Sequence, residues 1–201
     1  MRVSRIQAAE NRQTVVNVAS RLFRERGFDG IGLKDLMERA GLTQGAFYKQ
    51  FASKEDLAAQ ASRRALESAS HRWSAAAASN PKDPLGAVIA FYLSPEHRKE
   101  RMDGCPIVAL GSDAARQGID VKASFEAGIR EYLEMLGTWV GDAEGEEPGG
   151  KAMAILSTIV GAVLLSRAVN DKRLSKRFLQ AAAESVLMGP PAGDARKGRR
   201  R

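Results

Sequence analysis

The chain has 201 residues, with 31 Lys plus Arg against 24 Asp plus Glu for a formal charge of +7, and it is 44% hydrophobic but only 6% aromatic. A chain of this size and apolar content can bury a core without staples, which excludes disorder over most of its length. A single cysteine excludes an internal disulfide and any multi-thiolate zinc site, and fits a reducing compartment.

Met1 to Glu10 carries Arg2, Arg5 and Glu10 without an apolar stretch, so it does not read as a secretory signal, and a cytoplasmic location is expected. The positive charge is uneven. Residues 1–64 hold 12 basic and 7 acidic residues, and residues 189–201 hold 5 basic and 1 acidic, which leaves −2 for residues 65–188. Basic ends on a nearly neutral body suggest a polyanion-binding module joined to a part with another task.

Val15, Val18, Ala19, Leu22 and Phe23 recur at helical spacing and predict a helix over Asn11 to Gly27, with Gly27 at the left-handed cap. Leu36, Met37 and Ala40 turn inward on a second short helix, Leu33 to Ala40, which follows Gly32 and ends at Gly41. Thr43 can cap a third helix, Gln44 to Phe51. Ser53, followed by Glu55 and Asp56, opens a longer one that reaches about Ala78. Asn80, Pro81, Asp83 and Pro84 break the chain and mark a domain boundary. Helices are predicted beyond it at about 84–101, 106–117, 119–140, 151–169 and 172–188, with no sustained strand alternation. Ala152 to Leu165, flanked by Lys151 and Arg167, is shorter than the roughly 20 residues of a membrane span and reads as a buried helix. Gly141 to Gly150, with four acids and four glycines, reads as an exposed loop, and Gly189 to Arg201 as a basic disordered tail.

The fold class is therefore all-α, with an amino-terminal helix-turn-helix unit and a larger helical domain. The second and third helices, joined by Ala40-Gly41-Leu42-Thr43, have the layout of a helix-turn-helix spanning about 32–51. Gly41 permits positive φ, so the second helix can brace the third while the third presents its amino-terminal face to a major groove. Leu33, Leu36, Met37, Leu42, Phe47 and Phe51 can close a small core against Val15, Ala19, Leu22 and Phe23.

The segments Leu22-Phe23, Gly27-Phe28, Leu33-Lys34-Asp35-Leu36, Ala40-Gly41-Leu42-Thr43, Gly45-Ala46-Phe47-Tyr48, Phe51 and Lys54-Glu55 resemble the amino-terminal domain of the tetracycline-repressor (TetR) family over residues about 9–69. The resemblance implies an all-helical homodimer, a one-component transcription regulator. Its carboxy-terminal domain, here about 80–188, would bind a small molecule and release double-stranded DNA. Two positions depart from the family pattern. Gly32 stands where a Thr cap is usual, and Lys49 and Gln50 follow the aromatic where His or Asn is frequent. Most relatives repress. An activator, or an architectural DNA-binding protein that senses nothing, are the alternatives.

Lys34 and Lys54 match family positions that meet the DNA backbone, where an ammonium releases counterions and gives salt-dependent, sequence-blind affinity. Thr43 and Gln44 open the recognition helix; Gln can pair with adenine, and Thr can bond a phosphate or touch a thymine methyl. Gly45 and Ala46 allow close approach. Tyr48 matches an aromatic whose hydroxyl meets a phosphate, Lys49 can read guanine or add charge, and Gln50 is a further candidate contact. One such module covers little DNA, so a dimer is expected to place two recognition helices about 34–36 Å apart on a palindromic operator. By resemblance, the last two helices pair across a two-fold axis, with Ile155, Ile159, Val163, Phe178, Ala182 and Val186 as the expected contacts.

Trp73, Phe91, Tyr92, Met102, Ile107, Leu110, Phe125, Tyr132, Met135 and Trp139 are candidates to line a pocket for an apolar or aromatic ligand. Pro106 fits a first helical position, which places Cys105 at the cap, where backbone N–H groups and the helix dipole favour a thiolate. The Gly104-Cys105 pair also resembles a branch of the family that includes sensors of electrophiles and oxidants, so modification of Cys105 is a second candidate signal. The helix from Lys54 links both parts, and by resemblance it tilts when the pocket fills. The only histidines are His71 and His97, and no metal, cofactor, nucleophile-elbow or phosphate-loop pattern occurs, so neither an enzyme, a metal nor a cofactor is expected.

Overall fold

The computed structural model describes residues 5–142 and 149–188, which form ten helices with no strand among them. Arg2 of the basic terminus, positions 143–148 of the predicted acidic loop and the 189–201 tail lie outside the described residues.

Helix α1 (Arg5–Arg26) begins before the predicted Asn11. Its first turns are exposed and rest on local terms: Ala8 and Ala9 favour helix, and Gln7 Nε2 donates to Asn11 Oδ1 at 3.2 Å. Helix α2 (Leu33–Arg39) closes through Gly41, at φ +73°. The Gly41 N–H donates to Glu38 O at 3.0 Å and the Leu42 N–H to Met37 O at 2.9 Å, a Schellman closure that needs a left-handed residue. Helix α3 (Gln44–Phe47) is shorter than the predicted 44–51. After Phe47 the chain tightens, with the Gln50 N–H donating to Phe47 O at 2.9 Å, which returns Phe51 to the core.

Helix α4 (Lys54–Ser79) starts at a reciprocal cap in which the Asp56 N–H donates to Ser53 Oγ and the Ala52 N–H donates to Asp56 Oδ2, each at 3.0 Å. At about 1.5 Å per residue it is long enough to pack its first half on α1 and its second half on later helices. The predicted helix over 84–101 is two: α5 (Pro84–Tyr92) and α6 (Pro95–Lys99). Pro95 disfavours helical backbone at Ser94, and Ser94 Oγ instead caps α6 by accepting from the His97 N–H at 3.1 Å. Helix α7 (Pro106–Ala114), α8 (Ile119–Val140), α9 (Gly150–Ala168) and α10 (Lys172–Met188) follow, α7 ending short of the predicted 117.

Helices α4 and α8 cross at Gly128, where an added Cβ would lie 2.8 Å from Leu66 Cβ. Gly128→Ala is expected to force these helices apart and cost about 1–3 kcal/mol, read as a lowered thermal midpoint. An unchanged midpoint would mean that Leu66 can yield.

Helix α9 is long and apolar enough to cross a membrane by length and composition alone, yet it packs into the core, as expected of the apolar stretch. Its inward residues account for that apolarity: Ala152, Ile155, Leu156, Ile159, Ala162 and Val163 are buried where α9 packs on α8 and α10. The same packing bears on the expected dimer contacts. Ile155, Ile159, Val163 and Ala182 lie inside the protomer, and Phe178 and Val186 are half-buried. The large apolar residues facing outward on this pair are Met153, Leu164 and Leu165 on α9 with Leu174, Leu187 and Met188 on α10, between 39% and 83% exposed. A single core runs from Val15 to Ala182 and joins the amino-terminal helices to the rest.

Candidate nucleic-acid interface and sensing region

Phe47, completely buried, seats the one-turn α3, stacking on Phe51 at 5.4 Å and meeting Tyr48 edge-on at 5.3 Å. Arg12 from α1 clamps the end of this turn. Its Nη1 donates to Gln50 O, its Nη2 to Gln60 Oε1 at 3.0 Å, and its guanidinium sits 4.6 Å from the Phe51 ring centre. Outward from this base stand Thr43, Gln44, Gly45, Tyr48 and Lys49, all exposed, with Tyr48 at 67%. The Thr43 hydroxyl makes no capping hydrogen bond and remains available. Lys34 is exposed, with Glu38 3.9 Å away, and Lys54 is half-buried at the start of α4. Two expected contacts do not share this face fully. Ala46, within α3, packs against the core, and Gln50 is half-buried with its Oε1 enclosed, where the tightened turn after Phe47 brings it inward.

The expected pocket is largely filled. Trp73 meets Tyr92 edge-on at 5.4 Å and Tyr132 at 4.6 Å, and with Phe91 and Cys105 they enclose only about 10 Å³. Met102, Leu110, Met135 and Trp139 line neither this small space nor the large cavity between α7 and α8. The room lies elsewhere. A cavity of about 720 Å³ runs between α7 and α8, walled by Ile107, Gly111, Phe125, Ile129, Leu133 and Met153, with Lys122, Glu126 and Arg130 as its charged members. Of the expected lining, only Ile107 and Phe125 reach it. The missed residues Ile129 and Leu133 follow Phe125 at i+4 and i+8, a second apolar stripe on α8 beside the one facing α4.

Cys105 is the cap residue of α7, as expected, yet the expected thiolate is corrected. Burial at 3% exposure pushes its thiol up, outweighing the nearby Tyr92 hydroxyl and the N–H groups of Val108 and Ile107. None of these reaches hydrogen-bond geometry with the sulfur. Nearby cations do not reverse this, although Arg167 of α9 favours the thiolate. Arg101 is exposed, and burial lowers His97, whose Nδ1 lies 2.7 Å from Tyr92 O, which disfavours its charged form.

The family model described as "Bacterial regulatory proteins, tetR family" matches residues 15–61, the span that carries this helix-turn-helix. Over that span the chain is similar to the amino-terminal domain of the TetR family. It is 24% identical over 130 residues to the HTH-type transcriptional repressor NemR of Escherichia coli K12, a match covering 63% of this chain and 65% of that protein. Its fold is similar to a TetR transcriptional regulator of Chloroflexus aurantiacus, with a TM-score of 0.74, 26% identity, and 90% and 96% of the two chains covered. The reduced form of E. coli NemR is similar at a TM-score of 0.74 and 21% identity, covering 92% of this chain and 100% of that one.

The amino-terminal helices are gripped by the segment between α6 and α7. Arg24, buried on α1, donates from Nη1 to Gly104 O at 3.1 Å and from Nε to Ser20 O at 2.9 Å. Arg21 pairs with Asp103 at 3.0 Å, and Arg72 of α4 pairs with Glu100 at 2.7 Å. From α9, Arg167 donates to the carbonyls of His97, Arg98 and Glu100 at 2.8–3.1 Å. Sequence reasoning missed both Arg24 and Arg167. Arg24 lies beside the Ala19–Phe23 row, where its position alone does not distinguish a buried guanidinium from a solvated one.

Proposed function

We propose that this chain is a one-component transcriptional regulator, a repressor that binds a palindromic operator as a homodimer and is released by a small apolar ligand. The observation that carries the reading is the exposed Thr43, Gln44, Gly45, Tyr48 and Lys49 face on a one-turn helix seated by Phe47, inside the span matched by the family model. Lys34 and Lys54 flank that face and position it on phosphates. The relatives named as repressor and regulators support the same reading. The cavity between α7 and α8 is the ligand site this reading favours, since it is large and mainly apolar. A second reading, release by modification of Cys105, rests on Gly104, its neighbour, accepting from Arg24 of the DNA-binding domain.

The test is fluorescence anisotropy on DNA from upstream of the chain's own gene, at fixed salt. Gln44→Ala is expected to weaken operator binding by about 1–3 kcal/mol and relax specificity, whereas Lys54→Ala weakens all sequences alike and lowers the salt slope by about 1. Equal binding to operator and random DNA would overturn the regulator reading in favour of an architectural protein. Treatment with diamide or a quinone separates the two signals. Release that disappears in Cys105→Ser assigns the thiol, and binding that survives treatment assigns the apolar cavity.

A further inference from the structure

A second cleft, of about 390 Å³, opens where the end of α1 meets α6 and α9, and its charged lining is Arg24, Glu25, Arg98, Lys99, Arg101 and Arg167. Five cations face one carboxylate, in a part of the chain whose body is otherwise close to neutral. The way these cations are held matters more than their number. Arg98 donates from Nε and Nη2 to Ser166 O at 3.1 and 2.6 Å, and Arg167 donates to three carbonyls of the 97–100 segment. Arg24 likewise bonds the carbonyls of Ser20 and Gly104. Carbonyls fix the direction of a guanidinium without cancelling its charge.

Carboxylates do little to cancel it either. Asp103 is 3.9 Å from Arg24 but closer to Arg21, at 3.0 Å, and Glu25 lies 3.3 Å from Arg26. Lys99 and Arg101 make no ion pair among the described residues. Burial lowers both Arg24 and Arg167, and the neighbouring Arg98 and Arg101 press on Arg167 in the same direction. A concave, partly desolvated wall of one sign focuses its field on the opening. Fixed guanidinium forks suit an oxyanion with several acceptor oxygens.

We propose that this cleft binds a small, multiply charged anion, a phosphate ester or a polycarboxylate. The site is separate from the apolar cavity between α7 and α8. Because Arg24 belongs to the DNA-binding domain and Arg98, Arg101 and Arg167 to the regulatory helices, a bound anion ties the two parts together across their junction.

The test is isothermal calorimetry on the full chain with sodium pyrophosphate and, separately, with citrate, at constant ionic strength made up with chloride. Saturable binding of either anion with one site per chain is expected, and which one binds identifies the oxyanion class. Lys99→Gln with Arg101→Gln, both exposed positions, is expected to weaken binding by about tenfold or more, and Glu25→Gln to tighten it. Arg63→Gln with Arg64→Gln removes as much charge from a different cleft, between α1 and α4, and is expected to leave binding unchanged. Absence of saturable binding, or equal weakening by the two double variants, overturns the proposal. The readout needs no DNA, so its outcome is independent of the operator reading.

Discussion

Phe47→Ala is expected to abolish operator binding by dissolving the recognition helix while the regulatory helices stay folded. A helix of one turn has no stability of its own, since nucleation alone costs more than its few hydrogen bonds return. Tertiary packing must hold α3, and Phe47 is the side chain through which it does so, completely buried and stacked on Phe51. Truncating such a ring costs about 3–5 kcal/mol. The loss should appear locally, because a peripheral unit can open below the threshold of global unfolding. Hydrogen exchange is the deciding measurement: amides over 33–51 should lose protection while those of α8 and α9 keep theirs. Retained protection at 33–51 would show that Arg12, by clamping the end of the turn onto α1 and α4, is sufficient alone.

Leu164→Glu combined with Leu187→Glu is expected to yield a folded monomer whose operator affinity is lower by a factor of about 10²–10⁴, because the second half-site contact ceases to be intramolecular. Both side chains are about half exposed, so the protomer has little to lose on their replacement. Two new carboxylates per chain would face their symmetry mates across an isologous contact and repel them. Ile159→Ala is the contrasting variant. Ile159 is fully buried, so its truncation should cost about 2–5 kcal/mol of protomer stability without selectively favouring the monomer. Sedimentation velocity distinguishes the two behaviours. A dimer that persists in the double glutamate variant would place the two-fold contact on another surface.

What was legible in the amino-acid sequence, and what was not, divides along the range of the forces involved. Gly41, Thr43, Ser53 and Pro106 act within a few residues of themselves, and the turn, the helix starts and the cap position of Cys105 follow from them. The same locality misleads at Cys105. Its cap position argues for a thiolate, but burial is supplied by Trp73, Tyr92 and Tyr132 from distant segments, and desolvation decides the sign. Helix α9 is apolar on both sides, so hydropathy cannot separate the side that packs inside the protomer from the side left for a partner. The inward turn of Gln50 depends on the tightened backbone after Phe47, which helical periodicity does not reveal. The apolar cavity escaped for a related reason, since α8 carries two stripes and only their packing shows which one fills and which one leaves space.

That division of α8 has an engineering consequence. Gly128 and Tyr132 face the crossing with α4 and the aromatic cluster, while Phe125, Ile129 and Leu133 line the open cavity one step around the same helix. Residues that would set inducer identity are therefore offset around the helix from those at the α4 crossing, although Phe125 and Leu133 also belong to the core. A library at the half-buried 129 can explore new ligand shapes at least cost to the core, whereas variants at 125 and 133 also trade packing for pocket shape, which makes 129 the natural starting point for a respecified biosensor.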